Sequence, residues 1–380
     1  MIIEHLRRQV EAWLMRIWFC QPRGSDRLLA ALLAPIGLPL SWLVASLALR
    51  RARQIQHSRS GHPVVIVIGN VVVGGAGKTP LVAALARALQ DRGLSVGLLA
   101  RGYRAHSAIP ILVDRNTPIE QAGDEALLLA SETGLPLAVG LHRQAALALL
   151  IQHYPELDVV ISDDGLQHVA LPRHLELVLM HPLGLGNGRC LPAGPLREPP
   201  ERLKHVDALL LPASPTLEHE GTLPSSPLPE AGLSAGHAAQ PPQFRIRTEV
   251  VGVRTLDGQT RCSPADFRQA MAGQTLAAVA GISRPERFFN TLRGQGLTIQ
   301  PYPLPDHARL DPAWLAVLPQ AQIIMTAKDA VKCAALPDSV KRRCHVLEIQ
   351  AVPEAALLEW LAGRLDTVHG ARHIFPSAHH

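Results

Sequence analysis

Aromatic side chains are scarce in this 380-residue chain: Phe, Trp and Tyr together make up 4%. Hydrophobic residues total 47%, so a sizeable core can form, and aliphatic side chains must dominate it. Cysteine is also rare. Cys20, Cys190, Cys262, Cys333 and Cys344 are scattered, and no pair has the short spacing of a zinc or dithiol redox motif. Free thiols in a reducing compartment are the expectation. No 20–50-residue repeat recurs, which excludes a solenoid. Charged residues are only 18% of the chain, and their sum is +5. That balance admits an anionic partner such as phosphate, nucleic acid or an acidic lipid surface, and equally fits a mildly basic soluble protein. The distribution says more: Arg7, Arg8, Arg16, Arg23, Arg27, Arg50, Arg51 and Arg53 crowd the N-terminus. The length suits two domains.

Between those arginines, residues 28–49 carry no charge. About 20 apolar residues cross a bilayer, so this run is long enough. Pro35 and Pro39 interrupt it and should kink a helix. Arginines at both ends give no orientation. Upstream, Leu6, Val10, Trp13, Leu14, Ile17 and Trp18 mix with arginines as in an interfacial amphipathic helix. The expectation is a monotopic or re-entrant anchor, ahead of a full span or a buried core helix pair. A cleaved signal peptide is not expected, because the apolar run starts late.

A strand–helix alternation follows. Strands are expected at 64–68, 96–99, 109–113, 135–139, 159–161, 175–180 and 208–211, with a helix from 79 to 92 capped by Gly93. This order predicts an α/β fold with a mainly parallel sheet. Residues 213–243 are rich in Pro, Ser, Gly and Ala and read as an insertion or linker. Two extended runs around 244–253 and strands at 276–280, 323–326 and 345–349 make a second α/β pattern. In it, Ser283-Arg-Pro-Glu286 reads as a capping box.

The strongest motif is Gly69-Asn-Val-Val-Val-Gly-Gly-Ala-Gly-Lys-Thr79, set between a strand and a helix as a P-loop requires. Gly74, Gly75, Ala76 and Gly77 would turn backbone N–H groups toward phosphate oxygens. Lys78 would pair with the β- and γ-phosphates and the Thr79 hydroxyl would ligate Mg²⁺. The first glycine of the usual pattern is replaced by Val72. A second motif ends an apolar strand in Asp163-Asp164-Gly165, where a magnesium-binding acid belongs; an Asp-Gly turn is the competing reading. In Gly123-Asp124-Glu125 the carboxylate of Asp124 suits a base for an attacking hydroxyl, although spacing alone favours a helix N-cap. His307, in Leu304-Pro-Asp-His307, could support such a base, and is one of 18 histidines. Arg101, Arg143 and Arg197 suit phosphate recognition.

Taken in order, GNVVVGGAGKTP, ARGY, GDE, SDDGLQH, LPAGPLREP, AGISRPERF, LPDH and TAKDAVK resemble one family, the tetraacyldisaccharide 4′-kinases of lipid A biosynthesis. The resemblance runs from about residue 64 to 332, and Val72 is normal for it. It implies a P-loop NTPase-type core and a second, smaller α/β domain behind an N-terminal hydrophobic membrane anchor. The expected division is 1–58 membrane-associating segment, 59–212 P-loop kinase core, 213–243 insertion, 244–365 second domain and 366–380 tail. It implies transfer of the ATP γ-phosphoryl group to the 4′-hydroxyl of a tetraacyldisaccharide 1-phosphate at the cytoplasmic face of the inner membrane. The implied partners are ATP, Mg²⁺, the glycolipid and an anionic bilayer surface, with no nucleic acid and no obligate protein. Lys78 and Thr79 match the phosphate loop, Asp124 the base, His307 its assistant, and Asp163 and Asp164 the acids near magnesium. Arg143, Gln167, His168 and Arg197 lie in matching stretches. Two departures are Ala126, where proline often follows Gly-Asp-Glu, and His142, where an acid usually precedes the arginine. Rival readings are a P-loop NTPase switch, which needs an Asn-Lys-x-Asp motif that Thr326-Ala-Lys-Asp329 only superficially resembles, and a small-metabolite kinase, which leaves the apolar segment unexplained.

Overall fold

The computed structural model describes residues 10, 13–20, 25–55, 63–74, 77–102, 109–114, 116–213, 240–333 and 336–369. Gly75, Ala76, Tyr103, nearly all of the 213–243 insertion and the end of the 366–380 tail lie outside the described residues, as do Arg7, Arg8 and Arg23. In chain order the strands are β1 (Val64–Gly69), β2 (Val96–Ala100), β3 (Ile111–Val113), β4 (Leu137–Val139), β5 (Val159–Asp163), β6 (Leu175–Leu179), β7 (Ala208–Pro212), β8 (Gln243–Thr255), β9 (Arg261–Cys262), β10 (Leu276–Ala280), β11 (Ile299–Pro303), β12 (Ile323–Thr326) and β13 (Cys344–Pro353).

The chain forms two compact units, each drawn from separated stretches of sequence. One takes the described parts of Met1–Ala76, Asp164–Ile246 and Glu354–His373; the other takes Gly77–Asp163 and Arg247–Pro353. In the first unit β1 pairs in parallel with β6, β6 with β7, and β7 with the start of β8. All six residues of β1 are buried, as expected of a parallel strand covered on both faces. In the second unit β2 lies between β4 and β5 in parallel, and β3 closes that group antiparallel on β4. There too β11, β10, β12 and β13 form a parallel set. Alternate residues of β10 and β12 feed opposite cores: Ala277, Val279, Ile323 and Met325 face one, and Leu276, Ala278, Ala280 and Ile324 the other.

The α/β class and its mainly parallel pairing are therefore as the strand–helix alternation predicted. Several local expectations differ. The two extended runs near 244–253 are one 13-residue strand, β8, with short β9 folded back against it. The helix Lys78–Gln90 is capped at Asp91, and Gly93 sits two residues further on at φ 87°. The capping box at Ser283 does not form: Arg284 is the N-cap of the helix Pro285–Gly294 and no side chain caps it. Pro285 fixes the first helical position, so the chain enters one residue later than a Ser283 cap needs.

The apolar run is a single helix, Ser25–Ala52, continuous through Pro35 and Pro39. Its 28 residues extend about 42 Å at 1.5 Å per residue. Ser41 is its buried residue, whereas Leu28, Leu32, Ile36 and Trp42 are 68–75% exposed. The helix Ser25–Ala52 is thus largely exposed where a core helix would be buried, and it is long and apolar enough to cross a membrane.

Candidate active site

In the second unit, Gly77 caps the helix Lys78–Gln90 from the left-handed region, at φ 81°. Glycine adopts that angle without the Cβ penalty other residues meet. The helix therefore starts with Lys78 and Thr79 in its first turn. The Thr79 hydroxyl donates to Asp163 Oδ2 at 3.3 Å, so a hydroxyl and a carboxylate oxygen converge at the end of β5. Arg143, 2% exposed, lies behind them. Its guanidinium donates to the carbonyls of Ala100, Gly140 (2.9 Å) and Asp163 (3.2 Å). It ties together the ends of β2, β4 and β5.

Asp124 is not the N-cap that its spacing favoured. Gly123 takes that place at φ 82°, and Asp124 is the first residue of the helix Asp124–Thr133. Its side chain is freed for another partner: His307 Nδ1 lies 2.8 Å from Asp124 Oδ2 and 3.0 Å from Oδ1. His307 holds a positive φ of 59°, unfavourable for a residue with a Cβ. Asp164 does the same at 51°, and among the described residues these two are the non-glycine cases. Such conformations persist only where the surroundings over-determine them, and they cluster at functional sites.

Two lysines that motif reading left without a role complete this group. Lys328 Nζ lies 3.0 Å from Glu125 Oε1, 3.3 Å from Asp306 Oδ1 and 4.0 Å from Asp124 Oδ2. Lys332 Nζ lies 3.8 Å from Asp124 Oδ2 and 2.8 Å from Asp329 Oδ1. Lys328 lies on the short helix Ala327–Ala330 and Lys332 in the 3₁₀ turn Val331–Cys333 that follows it; both stand in the motif TAKDAVK. Burial pushes the Asp124 carboxyl up. The His307 hydrogen bond and the charges of Lys328, His307 and Lys332 outweigh it, holding the group below the usual carboxylate range. For Lys328, burial pushes the ammonium down, and Glu125, Asp124 and Asp306 reverse this, leaving it above its ordinary value.

The first unit carries a separate chain of polar contacts. Gly74 has φ 103°, and Val72 is 1% exposed and bridged antiparallel to Leu196. Val73 N–H donates to Pro195 O at 2.9 Å and Arg197 N–H to Val71 O at 2.7 Å. This extended clip accounts for valine at position 72: the backbone there is strand-like and the side chain is buried, so glycine offers nothing. The same clip delivers Arg197, which reaches both carboxylate oxygens of Asp164, at 3.1 and 3.2 Å. Arg197 also reaches Gln167 Oε1 at 3.4 Å; Gln167 Nε2 donates to Glu198 (2.6 Å) and Asn70 O (3.2 Å). Burial raises the Glu198 carboxyl above its usual range despite Gln167 and Arg202. His168 contributes its carbonyl to Arg173. Beneath lies Glu176, fully buried between Arg173 (2.8 Å) and Arg202 (2.6 Å).

The predicted residues thus fall into two sets. Lys78, Thr79, Asp124, Arg143, Asp163 and His307 belong to the second unit; Gly74, Asp164, Gln167, His168 and Arg197 belong to the first.

A family model described as tetraacyldisaccharide-1-P 4′-kinase matches residues 29–366. The tetraacyldisaccharide 4′-kinase of Chromobacterium violaceum is 42% identical over 359 residues, 93% of this chain and 98% of that protein. That of Bordetella petrii is 40% identical over 350 residues, 90% of this chain and 93% of that protein. A crystal structure of LpxK from Aquifex aeolicus in complex with ATP superposes with a TM-score of 0.69 at 25% identity, covering 89% of this chain and 99% of that one. With a P-loop, a paired aspartate and histidine, and relatives matched over nearly their whole length, the chain belongs to the tetraacyldisaccharide-1-P 4′-kinase family.

Proposed function

We propose that this protein transfers the γ-phosphoryl group of ATP to the 4′-hydroxyl of a tetraacyldisaccharide 1-phosphate, giving the bis-phosphorylated lipid A precursor. The observation that carries the reading is the Asp124–His307 pair at 2.8 Å, in the same unit as Lys78 and the Thr79–Asp163 contact. Phosphoryl transfer asks a protein for alignment and charge neutralisation more than covalent chemistry. Lys78 and the loop amides hold the phosphates. Asp124 accepts the proton of the sugar hydroxyl as its oxygen bonds to the γ-phosphorus and the bridge to ADP breaks. His307 orients Asp124 through the two contacts from Nδ1.

The donor set fits magnesium: a hydroxyl and a carboxylate oxygen 3.3 Å apart suit a hard cation that fills its remaining positions with water and phosphate oxygens. Thr79 and Asp163 would hold it directly. Both oxygens of Asp164 already meet Arg197, so Asp164 acts with that arginine. When bound, Mg²⁺ neutralises charge on the phosphates. Arg143 serves from behind, since its guanidinium is spent on strand-end carbonyls. Gln167 and His168 complete the mount of Arg197 and Arg173.

The helix Ser25–Ala52 supports action on a lipid that stays in the membrane. An apolar cavity of about 600 Å³ lies beside it, lined by Trp13, Ile17, Trp18, Leu33, Ile36 and Pro192 among others, and suits acyl chains. The cytoplasmic face follows from the need for ATP.

The test is transfer from γ-labelled ATP to purified tetraacyldisaccharide 1-phosphate in mixed micelles, with Lys78→Ala as control. A labelled bis-phosphorylated lipid, absent in the control, is expected. Nucleotide hydrolysis without lipid labelling would overturn the reading and favour a P-loop switch or a small-metabolite kinase.

A further inference from the structure

The contacts of Asp124 divide by kind. Oδ1 accepts from Glu125 N–H at 3.0 Å and meets His307 Nδ1 at 3.0 Å, while Oδ2 meets His307 Nδ1 at 2.8 Å. The ammonium groups of Lys332 and Lys328 stand at 3.8 and 4.0 Å from Oδ2. Those are ion-pair distances beyond hydrogen-bond range, so both lysines act on the charge of Oδ2 without occupying its lone pairs.

Of the two, Lys332 is the more tightly held. Its side chain is 6% exposed and it meets Asp329 Oδ1 at 2.8 Å. Asp329 is fully buried, and its Oδ2 accepts from Gly281 N–H at 2.9 Å and from the Thr326 hydroxyl at 2.6 Å. The position of Lys332 is thus fixed from the ends of β10 and β12. Gly281 leaves room for the pair: a Cβ there would stand 2.8 Å from Asp329 Oδ1 and 3.5 Å from Lys332 Nζ.

We infer that Lys332, gripped by Asp329, is a positioning residue that favours the charged form of Asp124 and holds its aim between turnovers, an inference that rests on Asp124 being the base proposed above. When the sugar proton moves to Asp124 Oδ2, Lys332 keeps Asp329 as its counter-charge, and Lys328 keeps Glu125 and Asp306. No buried cation is left unpaired by the step. Once product leaves, both lysines favour return of the proton to solvent, which resets the base. The charged groups facing Asp124 are His307 and Asp306 after β11, Lys328, Asp329 and Lys332 after β12, and Glu125 on its own helix. On the packed helix Lys78–Gln90, Arg87 meets the far end of the Asp124 helix, at the carbonyl of Glu132.

The experiment follows the carboxyl ¹³C resonance of Asp124 through a pH titration of the full-length protein in detergent, assigned with Asp124→Asn. Removal of a cation that favours the ionised form raises the carboxyl pKa. In Lys332→Met the titration, and the acid limb of kcat with it, should move up by about one pH unit, roughly a tenfold change in proton affinity. The KM for ATP should change less than about threefold, since the site loses no phosphate contact. Lys332→Arg should restore the wild-type titration. Gly281→Ala, which pushes on the Asp329–Lys332 pair without altering either residue, should move it as Lys332→Met does and serves if the latter does not fold. An unmoved Asp124 titration in both variants, or a failed arginine rescue, overturns the inference. Because the resonance is read without turnover, absence of lipid phosphorylation by the wild type would sink the kinase reading while the titration still decided the role of Lys332.

Discussion

At the scale of single residues, the site places groups in states that would be unfavourable elsewhere. Asp124 is 5% exposed yet ionised, because a histidine and two lysines surround it. Its replacement by Asn should cut kcat by about 10²–10⁴ with ATP binding retained, as measured by single-turnover transfer and nucleotide titration. Its folded pKa is depressed, so its stabilising contribution is present above the unfolded value of about 3.8 and is lost as pH falls through the folded pKa. Acid unfolding of Asp124→Asn should lack that component. His307 offers a separation of strain from chemistry. His307→Gly should be more stable than His307→Ala by about 1–2 kcal/mol, because only glycine occupies φ 59° freely, and both should lose the same turnover. Urea melts of the two variants decide it. Thiol chemistry gives a further residue-level check. Burial pushes Cys190 and Cys344 up to about 11 and Cys333 up to about 12, whereas Cys20 is exposed. A thiol reagent at pH 8 should label Cys20 first, partly exposed Cys262 more slowly, and Cys190, Cys333 and Cys344 only on unfolding.

At the scale of elements, loops at the carboxyl ends of parallel strands do most of the arranging. The last residue of β5 is Asp163 and Asp164 follows it, the loop after β11 carries Asp306 and His307, and the short helical segment after β12 carries Lys328 and Lys332. Ligand sites of open α/β sheets form at such ends. The clip between Val71–Val73 and Pro195–Arg197 adds a second device, and the buried Arg173–Glu176–Arg202 triad anchors the far end of the same loop. Glu176 accepts from both arginines, and its own side chain is fully buried. Glu176→Ala leaves buried Arg173 without a carboxylate partner and Arg202 with Glu198 alone, at 3.2 Å, and should cost about 3 kcal/mol in a denaturant melt. A loss within 1 kcal/mol would mean that the arginines find other partners. Among local expectations, the capping box at Ser283 failed because Pro285 set the helix start. The N-cap expectation for Asp124 failed because Gly123 enters the helix at an angle that turns the carboxylate toward His307.

At the scale of the molecule, the membrane association proposed above would draw on two features, the basic N-terminal sequence and the exposed apolar helix. Apolar burial and attraction of arginines to anionic lipid are additive sources of membrane affinity, and the second weakens with salt. Leu32→Asp together with Ile36→Asp should reduce flotation with anionic vesicles, and raised salt should reduce wild-type flotation further. Flotation unchanged in both would remove the anchor. The division into 59–212 and 244–365 stays a proposal about cleavable pieces: limited proteolysis should cut first within 213–243, where composition disfavours packing.

Much of this protein was legible in the residues alone. Strand and helix periods, the glycine and lysine spacing of the phosphate loop, and the ordered string of motifs determined the α/β class, the family and the candidate residues. These are local signals, carried by neighbours in the chain. What the sequence could not determine was which of those residues meet. Asp124 and His307 are 183 positions apart, and Lys328 reaches Glu125 across 203. Only the parallel pairing of β10, β11 and β12, together with the packing of the segment after β12 against the helix Asp124–Thr133, brings them within 4 Å. The ionisation of Asp124 depends on that arrangement, because charge and burial act through space, and the chain's order records neither.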